Sequence, residues 1–263
     1  PEWVTPIEKN YRGYTMHEIP PNGQGIAALI ALGILDHFDL ASHKVDGVDS
    51  QHLQIEAMKL AFADVYRYVA ERSAMEVTTE QLLDKDYLAS RAKLIDMKRA
   101  QDFKAGNPVK GGTIYLSAAD ENGMMVSFIQ SNYMGFGSGL VVPGTGIALQ
   151  NRGACFTLEH GHPNEIAPAK RPYHTIIPGF LSVDAGAAAE AGAPVADERS
   201  EPVAQPIGPF GIMGGFMQPQ AHVQYVLRTV LHGQNPQAAL DAPRWQWMKG
   251  MEVDRKSTRL NSS

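Results

Sequence analysis

The spacing of apolar residues predicts two helices in the first seventy residues. A turn-forming segment at 20–25 leads into an almost wholly apolar run, which predicts a helix over about 26–37. Residues 50–70 carry apolar side chains at helical spacing, and Asp49 or Ser50 is the expected N-cap. These two helices are expected to supply much of an apolar core.

Three more helices follow from capping and stop signals. The residues at 78–81 read Thr-Thr-Glu-Gln and precede apolar positions that predict a helix running on towards Arg99. Gly214 and Gly215 precede another helix, which Gly233 is expected to stop. The pair Asn-Pro opens a short helix over about 235–240.

Between the helices that end near Arg99 and those that follow Gly215, the sequence shows strand patterns and polar segments. Residues 104–112 have the composition of an exposed linker, and residues 113–149 are β-rich with repeated glycines that mark bends. Residues 184–205 are rich in Ala, Glu, Pro and Gly, which favours a disordered insertion between strands. The order predicts an α+β fold with helices on both faces of an antiparallel sheet pair.

Composition narrows the functional classes. The chain has 263 residues, 44% of them apolar, a net charge of −5 and a pI near 6.0, so it has no electrostatic footprint for nucleic acid. The apolar stretch at 29–35 comes closest to a membrane span, and it is too short for one. A single cysteine, Cys155, excludes an internal disulfide, and the close pair His160 and His162 lacks a third ligand, so no metal site is expected.

The sequence also gives an expectation for each end of the chain. No charged segment followed by an apolar run marks a signal peptide near Pro1, which leaves the compartment open between cytoplasmic and periplasmic or secreted. Residues 255–263 break from the preceding pattern and are expected to be a non-native tail.

A candidate nucleophile stands where Gly111 and Gly112 lead into a strand. An internal threonine is a poor nucleophile, but cleavage before Thr113 would give it an α-amine, with a pKa of about 8, that can act as its general base. Gly112 suits such a cut because a residue without Cβ lets the hydroxyl oxygen approach the preceding carbonyl. Alone, the motif is equally typical of an ordinary turn before a strand.

Several segments together give this motif a context. They are Gly112 to Ser117, the run from Phe136 through Pro143-Gly144-Thr145-Gly146-Ile147, Pro168 to Pro172, Gly214-Gly215, and Asn235-Pro236 to Arg244. As a set they resemble the γ-glutamyltranspeptidase family of N-terminal nucleophile hydrolases over roughly residues 15–247. The resemblance implies an αββα sandwich that matures by self-cleavage, hydrolase or acyltransferase chemistry, and a link to glutathione metabolism.

The resemblance also implies how the chain is divided. The cut would fall between Gly112 and Thr113, so that residues 1–112 are similar to the C-terminal part of the large subunit and residues 113–254 to most of the small subunit. The two would form one composite domain, a heterodimer of processed subunits. The family's large subunit begins well before Pro1, so the fold is expected to be incomplete at its N-terminus.

The same resemblance assigns candidate catalytic residues. Thr113 matches the nucleophile, and Ser131 matches a hydroxyl residue that positions it, although a polar strand end explains Ser131 equally well. Gly214 and Gly215 match the pair whose backbone N–H groups form the oxyanion hole, and a tight turn is their alternative explanation. No metal or organic cofactor is required by this mechanism.

The departures from the family pattern concern substrate recognition. Arg152 and Cys155 stand where glutathione-using members hold the ammonium of the glutamyl group, and a guanidinium would repel that ammonium and attract a carboxylate. Tyr133 replaces an asparagine, and His174 with Thr175 replaces two serines. A solvated surface charge is the alternative for Arg152, and a small buried apolar residue is the alternative for Cys155.

These observations predict a threonine-dependent amide hydrolase or acyltransferase of the γ-glutamyltranspeptidase type, made as a zymogen and acting on a small γ-glutamyl or related amide. A cephalosporin (glutaryl) acylase-like hydrolase is the alternative within that class, because a glutaryl group lacks the ammonium that Arg152 would oppose. An inactive fragment or non-catalytic binding protein is the alternative from another class.

Overall fold

The computed structural model describes residues 2–103, 112–184 and 204–256, and its centre is helix α1 (Gly25–Leu35). All eleven residues of α1 are buried. A helix with no polar side chain on any face is stable only when other elements surround it. The predicted helix over 26–37 is thereby confirmed, although it begins one residue earlier and ends before Asp36.

Helix α2 (Val48–Tyr68) packs along α1. It confirms the helix predicted over 50–70, but its N-cap is Gly47 and not Asp49 or Ser50. Asp49 lies in the first turn, where its negative charge interacts favourably with the positive end of the helix dipole. Ser50 is buried, and its hydroxyl accepts a hydrogen bond from the Gln54 side chain at 3.0 Å.

The single helix predicted from Thr78 towards Arg99 is wrong in its extent. The capping box forms as expected, but it opens only one turn, α3 (Thr79–Leu82). Asp84 then caps a second helix, α4 (Lys85–Ala92), by accepting a hydrogen bond from the Tyr87 backbone N–H at 2.8 Å. An aspartate that caps in mid-segment divides the apolar pattern between two helices, and α4 packs against α1.

A four-stranded antiparallel sheet covers another side of α1. Its strands are β1 (Ile7–Tyr11), β2 (Tyr14–Glu18), β5 (Gly179–Val183) and β6 (Gln205–Phe210), in the order β1-β2-β5-β6. The sequence patterns did not predict the first hairpin, whose strands are five residues each and lie too close together to show a clear alternation.

Strands β3 (Gly112–Ala119) and β4 (Met125–Tyr133) form a separate antiparallel hairpin. The predicted β-rich region, 113–149, is shorter than expected. Beyond β4 the chain turns repeatedly, with one isolated bridge between Val141 and Ala148. The glycines in this stretch have positive φ, which confirms the predicted bends; they are Gly135, Gly137, Gly139, Gly144 and Gly146.

The last helices pack on the central one. Helix α5 (Met217–Val226) lies against α1 and continues through a π-helical turn to Leu231, and Gly233 ends it at φ 62°. Helix α6 (Pro236–Asp241) begins as predicted, because the Asn235 side chain accepts a hydrogen bond from the Ala238 N–H at 2.9 Å. The short helix predicted over 235–240 is confirmed.

A final hairpin, β7 (Arg244–Lys249) and β8 (Glu252–Lys256), closes the described chain. Strand β8 extends two residues beyond Asp254, into the segment expected to be a non-native tail. The structure thus combines helices with antiparallel sheets. The linker was predicted over 104–112, but Gly112 already belongs to β3, and residues 104–111 lie outside the described residues. Of the insertion predicted over 184–205, residues 185–203 lie outside the described residues, and β5 and β6 flank it as expected.

A buried ion pair anchors the segment that precedes residues 104–111. Lys59 Nζ lies 2.6 Å from Glu56 Oε1, and both side chains are at most 2% exposed. Each partner also holds the backbone of Gln101. Its N–H donates to the Glu56 carboxylate at 3.0 Å, and its carbonyl accepts from the Lys59 ammonium at 2.8 Å.

We predict that Lys59→Met lowers the free energy of unfolding by about 3–5 kcal/mol, because it leaves the Glu56 carboxylate buried without a counter-charge. Urea unfolding measures the loss. The double variant Glu56→Gln/Lys59→Met should lose less than the single variant. The exposed pair of Arg67 and Glu76 gives the control, since Arg67→Met should cost less than about 1 kcal/mol. Equal losses in Lys59→Met and Arg67→Met would contradict the assignment.

Candidate active site

The start of β3 places Thr113 opposite two residues of β4, Ser131 and Asn132. Gly112 pairs with Tyr133 and Ile114 with Gln130, so one residue of β3 faces two residues of β4. That mismatch is a β-bulge, a device that redirects a side chain at the end of a ladder. Thr113 is half-buried, and Ser131 Oγ accepts a hydrogen bond from the Tyr133 N–H at 2.9 Å. The two hydroxyl residues predicted to act together are therefore cross-strand neighbours.

The strand that carries Thr113 lies against the turn that carries the two predicted oxyanion glycines. The ring of Tyr115 occupies the space where a Cβ on Gly211 would stand. The Tyr115 hydroxyl lies 3.0 Å from Ser127 Oγ, which donates to the Gly179 carbonyl at 2.9 Å. These contacts hold β3 and β4 against β5 and against the start of the 211–215 turn.

Gly214 and Gly215 adopt backbone conformations that other residues rarely reach, with φ of 126° and 60°. The Gly214 carbonyl accepts from the Met217 N–H at 3.1 Å, which sets the plane of the peptide between the two glycines. Within the described part of the chain, neither glycine N–H donates to a protein acceptor. Two such N–H groups just before a helix can stabilise a developing oxyanion.

Arg152 is buried beside the end of β4, where the Asn151 side chain binds the backbone of Met134. The Arg152 side chain donates from Nη1 to Thr175 Oγ1 at 2.9 Å, and its guanidinium lies 5.4 Å from the centre of the Tyr133 ring. Its Nη2 atom is buried without a hydrogen-bond partner, and no carboxylate among the described residues forms an ion pair with it. A buried cation without a counter-charge is costly unless a ligand supplies one.

Burial also shifts the groups that face this cation. Desolvation lowers the pKa of Arg152, and it raises the pKa of Cys155, where the nearby guanidinium opposes the rise. The pKa of Tyr133 is raised by burial and by its hydrogen bond with the Cys155 thiol. A raised pKa keeps the Cys155 thiol protonated near pH 7, so this thiol is not activated as a nucleophile.

Gln24, which the sequence patterns did not single out, connects two parts of the candidate site. Its side-chain Nε2 donates to the Thr175 carbonyl at 2.5 Å and to the Gly215 carbonyl at 2.8 Å. The only local signal at Gln24 is its position before the apolar run of α1, in the segment predicted as a plain turn. Its partners lie 151 and 191 residues away in sequence, which is why no local pattern could reveal it.

His174 faces a different space from Thr175. Its ring lines a cavity of about 310 Å³ together with Arg72, Arg171 and the turn at 20–23. Burial, with a smaller contribution from the charge of Arg152, lowers the pKa of His174 to about 4. The imidazole is therefore neutral near pH 7, and the Arg152 guanidinium donates its hydrogen bond to the neighbouring residue, Thr175.

The side chains of His160 and His162 each contact another protein group. His160 lies 3.2 Å from Glu165, and the His162 ring is 2.9 Å from the Tyr66 carbonyl oxygen. Within residues 2–103, 112–184 and 204–256, no group of three or more potential ligands is placed to hold a metal ion. No helix in those ranges is both long and apolar enough to cross a membrane.

Comparison with known proteins shows the family to which the sequence belongs. The sequence matches the gamma-glutamyltranspeptidase family over residues 1–260. The chain belongs to the gamma-glutamyltranspeptidase family. The bulge at Thr113, the two-glycine turn and the buried Arg152 are therefore features of a member of that family, and the resemblance inferred from the sequence motifs is confirmed.

Relatives within this family have several names. The chain is 33% identical over 94% of its length to the Glutathione hydrolase-like YwrD proenzyme of Bacillus subtilis, and 34% identical over 91% to the Oxamate amidohydrolase proenzyme of Klebsiella pneumoniae. It covers 43% and 41% of those two proteins. Among solved structures, a cephalosporin acylase from Bacillus halodurans is 54% identical and superposes with a TM-score of 0.83 over 97% of this chain and 43% of that one. The chain thus spans about two fifths of these relatives.

The low pKa of His174 gives a pH dependence of stability. Above pH 6.5 the ring is neutral in the folded and unfolded states. Between pH 6.5 and 4 only the unfolded state takes up the proton, so the free energy of unfolding falls as the pH falls, by at most about 3 kcal/mol. We expect His174→Gln to weaken this fall. Urea midpoints at pH 7 and pH 4.5 measure it, and His160→Gln, at an exposed ring, is the matched control. An identical acid-side loss in His174→Gln and in the parent chain would contradict the assignment.

Proposed function

We propose that this member of the gamma-glutamyltranspeptidase family carries the nucleophile of an amide hydrolase or acyltransferase, and that Thr113 is that nucleophile. The observation that carries the proposal is the bulge that sets Thr113 opposite Ser131 on a strand packed against the 211–215 turn. The nucleophile, a positioning hydroxyl and two available backbone donors are thereby drawn from neighbouring elements.

Self-cleavage between Gly112 and Thr113 would create the active form. The Thr113 hydroxyl oxygen attacks the Gly112 carbonyl carbon, the peptide C–N bond breaks, and the nitrogen leaves as the amine of Thr113. The resulting ester is then hydrolysed, so that one water is consumed and Gly112 ends in a carboxylate. Glycine at this position permits the strained approach that the attack needs.

The mature Thr113 would act on substrates by the same chemistry. Its α-amine, with a reference pKa of about 8, takes the proton of its own hydroxyl as the oxygen attacks an amide carbonyl. Gly214 and Gly215 would stabilise the oxyanion, and the departing amine takes up the proton. Water or a second amine then releases the acyl group from Thr113, which decides between hydrolysis and transfer.

The same proposal includes the subunit division and the layered fold. Residues 1–112 and 113–254 would remain together after cleavage as one composite domain of the αββα type. The pairing of β2 with β5, and the packing of α1 on α5, support that arrangement. They join the two proposed subunits through a continuous core rather than through a peripheral contact.

A glutaryl acylase of the cephalosporin acylase type is the second candidate function. Arg152 favours it, because its buried guanidinium has no acidic partner among the described residues and suits a carboxylate better than an ammonium. The 54% identity to the cephalosporin acylase from Bacillus halodurans points the same way. In this proposal Arg152, Thr175 and Tyr133 surround the far end of the acyl group, and His174 borders the adjoining cavity.

Thr113→Ala tests the nucleophile. Intact mass and denaturing electrophoresis of the parent chain should show two products that meet between residues 112 and 113, with masses that sum to the chain plus one water. Thr113→Ala should stay in one piece, because alanine has no oxygen to attack Gly112. Thr145→Ala, at an exposed loop threonine, is the control and should be processed like the parent. Processing of Thr113→Ala at the parent's rate would exclude Thr113, and an uncut parent would favour a non-catalytic binding protein.

Arg152→Met tests the second candidate. The ratio of kcat/KM for a glutaryl anilide to that for a γ-glutamyl anilide should fall at least about tenfold, since a hydrogen bond to a charged group contributes about 1.5–3 kcal/mol. The exposed Arg244 supplies the control variant, Arg244→Met, which should leave the ratio unchanged. A parent that prefers the γ-glutamyl anilide, with no change of preference in Arg152→Met, would exclude this role for Arg152.

A further inference from the structure

The side chain of Gln24 is completely buried, and each of its polar atoms has a partner. Besides the bonds from Nε2 to the carbonyls of Thr175 and Gly215, its Oε1 accepts a hydrogen bond from the Tyr173 hydroxyl at 3.0 Å. Its backbone N–H donates to the His174 carbonyl at 2.9 Å. One residue therefore contacts three consecutive residues of the 173–175 segment and one residue of the two-glycine turn.

The 211–215 turn needs such an external support. Gly214 and Gly215 have wide conformational freedom, so the turn does not fix the direction of its own N–H groups. The Gly215 carbonyl accepts from the Gln218 N–H at 3.1 Å and from Gln24 Nε2 at 2.8 Å. Two donors on one carbonyl restrict the rotation of Gly215, and through the chain they restrict the neighbouring peptide.

Two further contacts join the same pair of segments. The rings of Tyr173 and Phe216 stack, with centres 6.0 Å apart and planes 12° from parallel. The Ile177 N–H donates to the Gln218 side chain at 3.2 Å. Gln24 differs from these contacts because it binds both segments from a third element, at the start of α1, the most completely buried helix.

We propose that Gln24 is a positioning residue that sets the distance and orientation of the Gly214–Gly215 turn relative to the Thr175 segment. The inference rests on the proposed function, in which the turn stabilises the oxyanion and Thr175 lies beside Arg152 at the acyl group. Gln24 itself touches no reacting atom. It acts on rate because a misplacement of about 1 Å in a catalytic group can cost a hundredfold in rate.

Two substitutions at Gln24 distinguish the effect of its hydrogen bonds from the effect of its side-chain volume. Gln24→Met keeps the length of the side chain and removes both donors and the acceptor. Gln24→Glu keeps the shape, and burial between two carbonyl oxygens favours its protonated form, which can donate one hydrogen bond. The expected order of kcat is therefore parent, then Gln24→Glu, then Gln24→Met. Gln237→Met, which replaces an exposed glutamine bonded to Asp241, is the matched control.

Steady-state kinetics on the processed protein give the first measurement. We expect Gln24→Met to lower kcat by roughly 10- to 100-fold with KM changed less than about threefold, because the turn contributes to the transition state more than to ground-state binding. The value of kcat is referred to the concentration of folded, processed protein, so that a loss of folded protein alone leaves kcat unchanged. An unchanged kcat in Gln24→Met overturns the inference.

Hydrogen exchange gives a second measurement that does not depend on turnover. In Gln24→Met, peptides covering 173–177 and 211–218 should lose protection together, while peptides from α2 keep theirs. Protection that is unchanged in both segments overturns the inference.

If the parent neither cleaves itself nor turns over an anilide, the proposed function fails, and hydrogen exchange alone decides the role of Gln24. If Thr113→Ala behaves as expected while Gln24→Met matches the parent in both measurements, only the role of Gln24 fails.

Discussion

The complete burial of α1 is the constraint on which the rest of the structure depends. A helix without a polar face must be surrounded, and β1, α2, α4 and α5 do so. The first turn of α1 therefore lies in the interior, where backbone N–H groups without a hydrogen-bond acceptor would be costly. The chain enters this position through Gln24, whose carbonyl accepts from the Ala27 N–H at 2.9 Å. The candidate active site is thus built around the buried start of the central helix.

Neutral amide side chains connect several of the elements around that site. On α5, Gln220 and Gln224 lie one turn apart and bind both the N–H and the carbonyl of Trp247 and Trp245, respectively. Gln218 accepts a hydrogen bond from the Ile177 N–H through its side-chain oxygen. A glutamine amide offers a donor and an acceptor together, so it can satisfy a buried strand edge as another strand would. Because a glutamine amide has no titratable proton, these glutamine contacts do not themselves change with pH.

Local patterns in the sequence predicted those features that depend on near neighbours. The capping box at Thr78 and the cap at Asn235 are of this kind, since a cap and its partner lie three residues apart. The extent of the helix after Thr78 was wrong, because Asp84 competes as a second cap. Family resemblance brought Thr113 and Ser131 together before the structure placed them across one bulge. Gln24 could not be found in either way, because its partners are distant in sequence and are backbone atoms that any residue type supplies.

The structure separates the proposed bond-cleaving groups from the proposed recognition groups. Thr113 lies at the start of a strand, and the 211–215 turn is held at the Gly215 carbonyl by Gln24 and by the Gln218 N–H. Arg152 follows a loop region with several positive-φ glycines, and its guanidinium makes one hydrogen bond and one ring contact among the described residues. A change in that region can alter the charge that meets the acyl group without moving the nucleophile. In the proposed function the substrate's charge would be matched at Arg152 and its carbonyl would be attacked at Thr113, so that one cleavage mechanism could accept different amides.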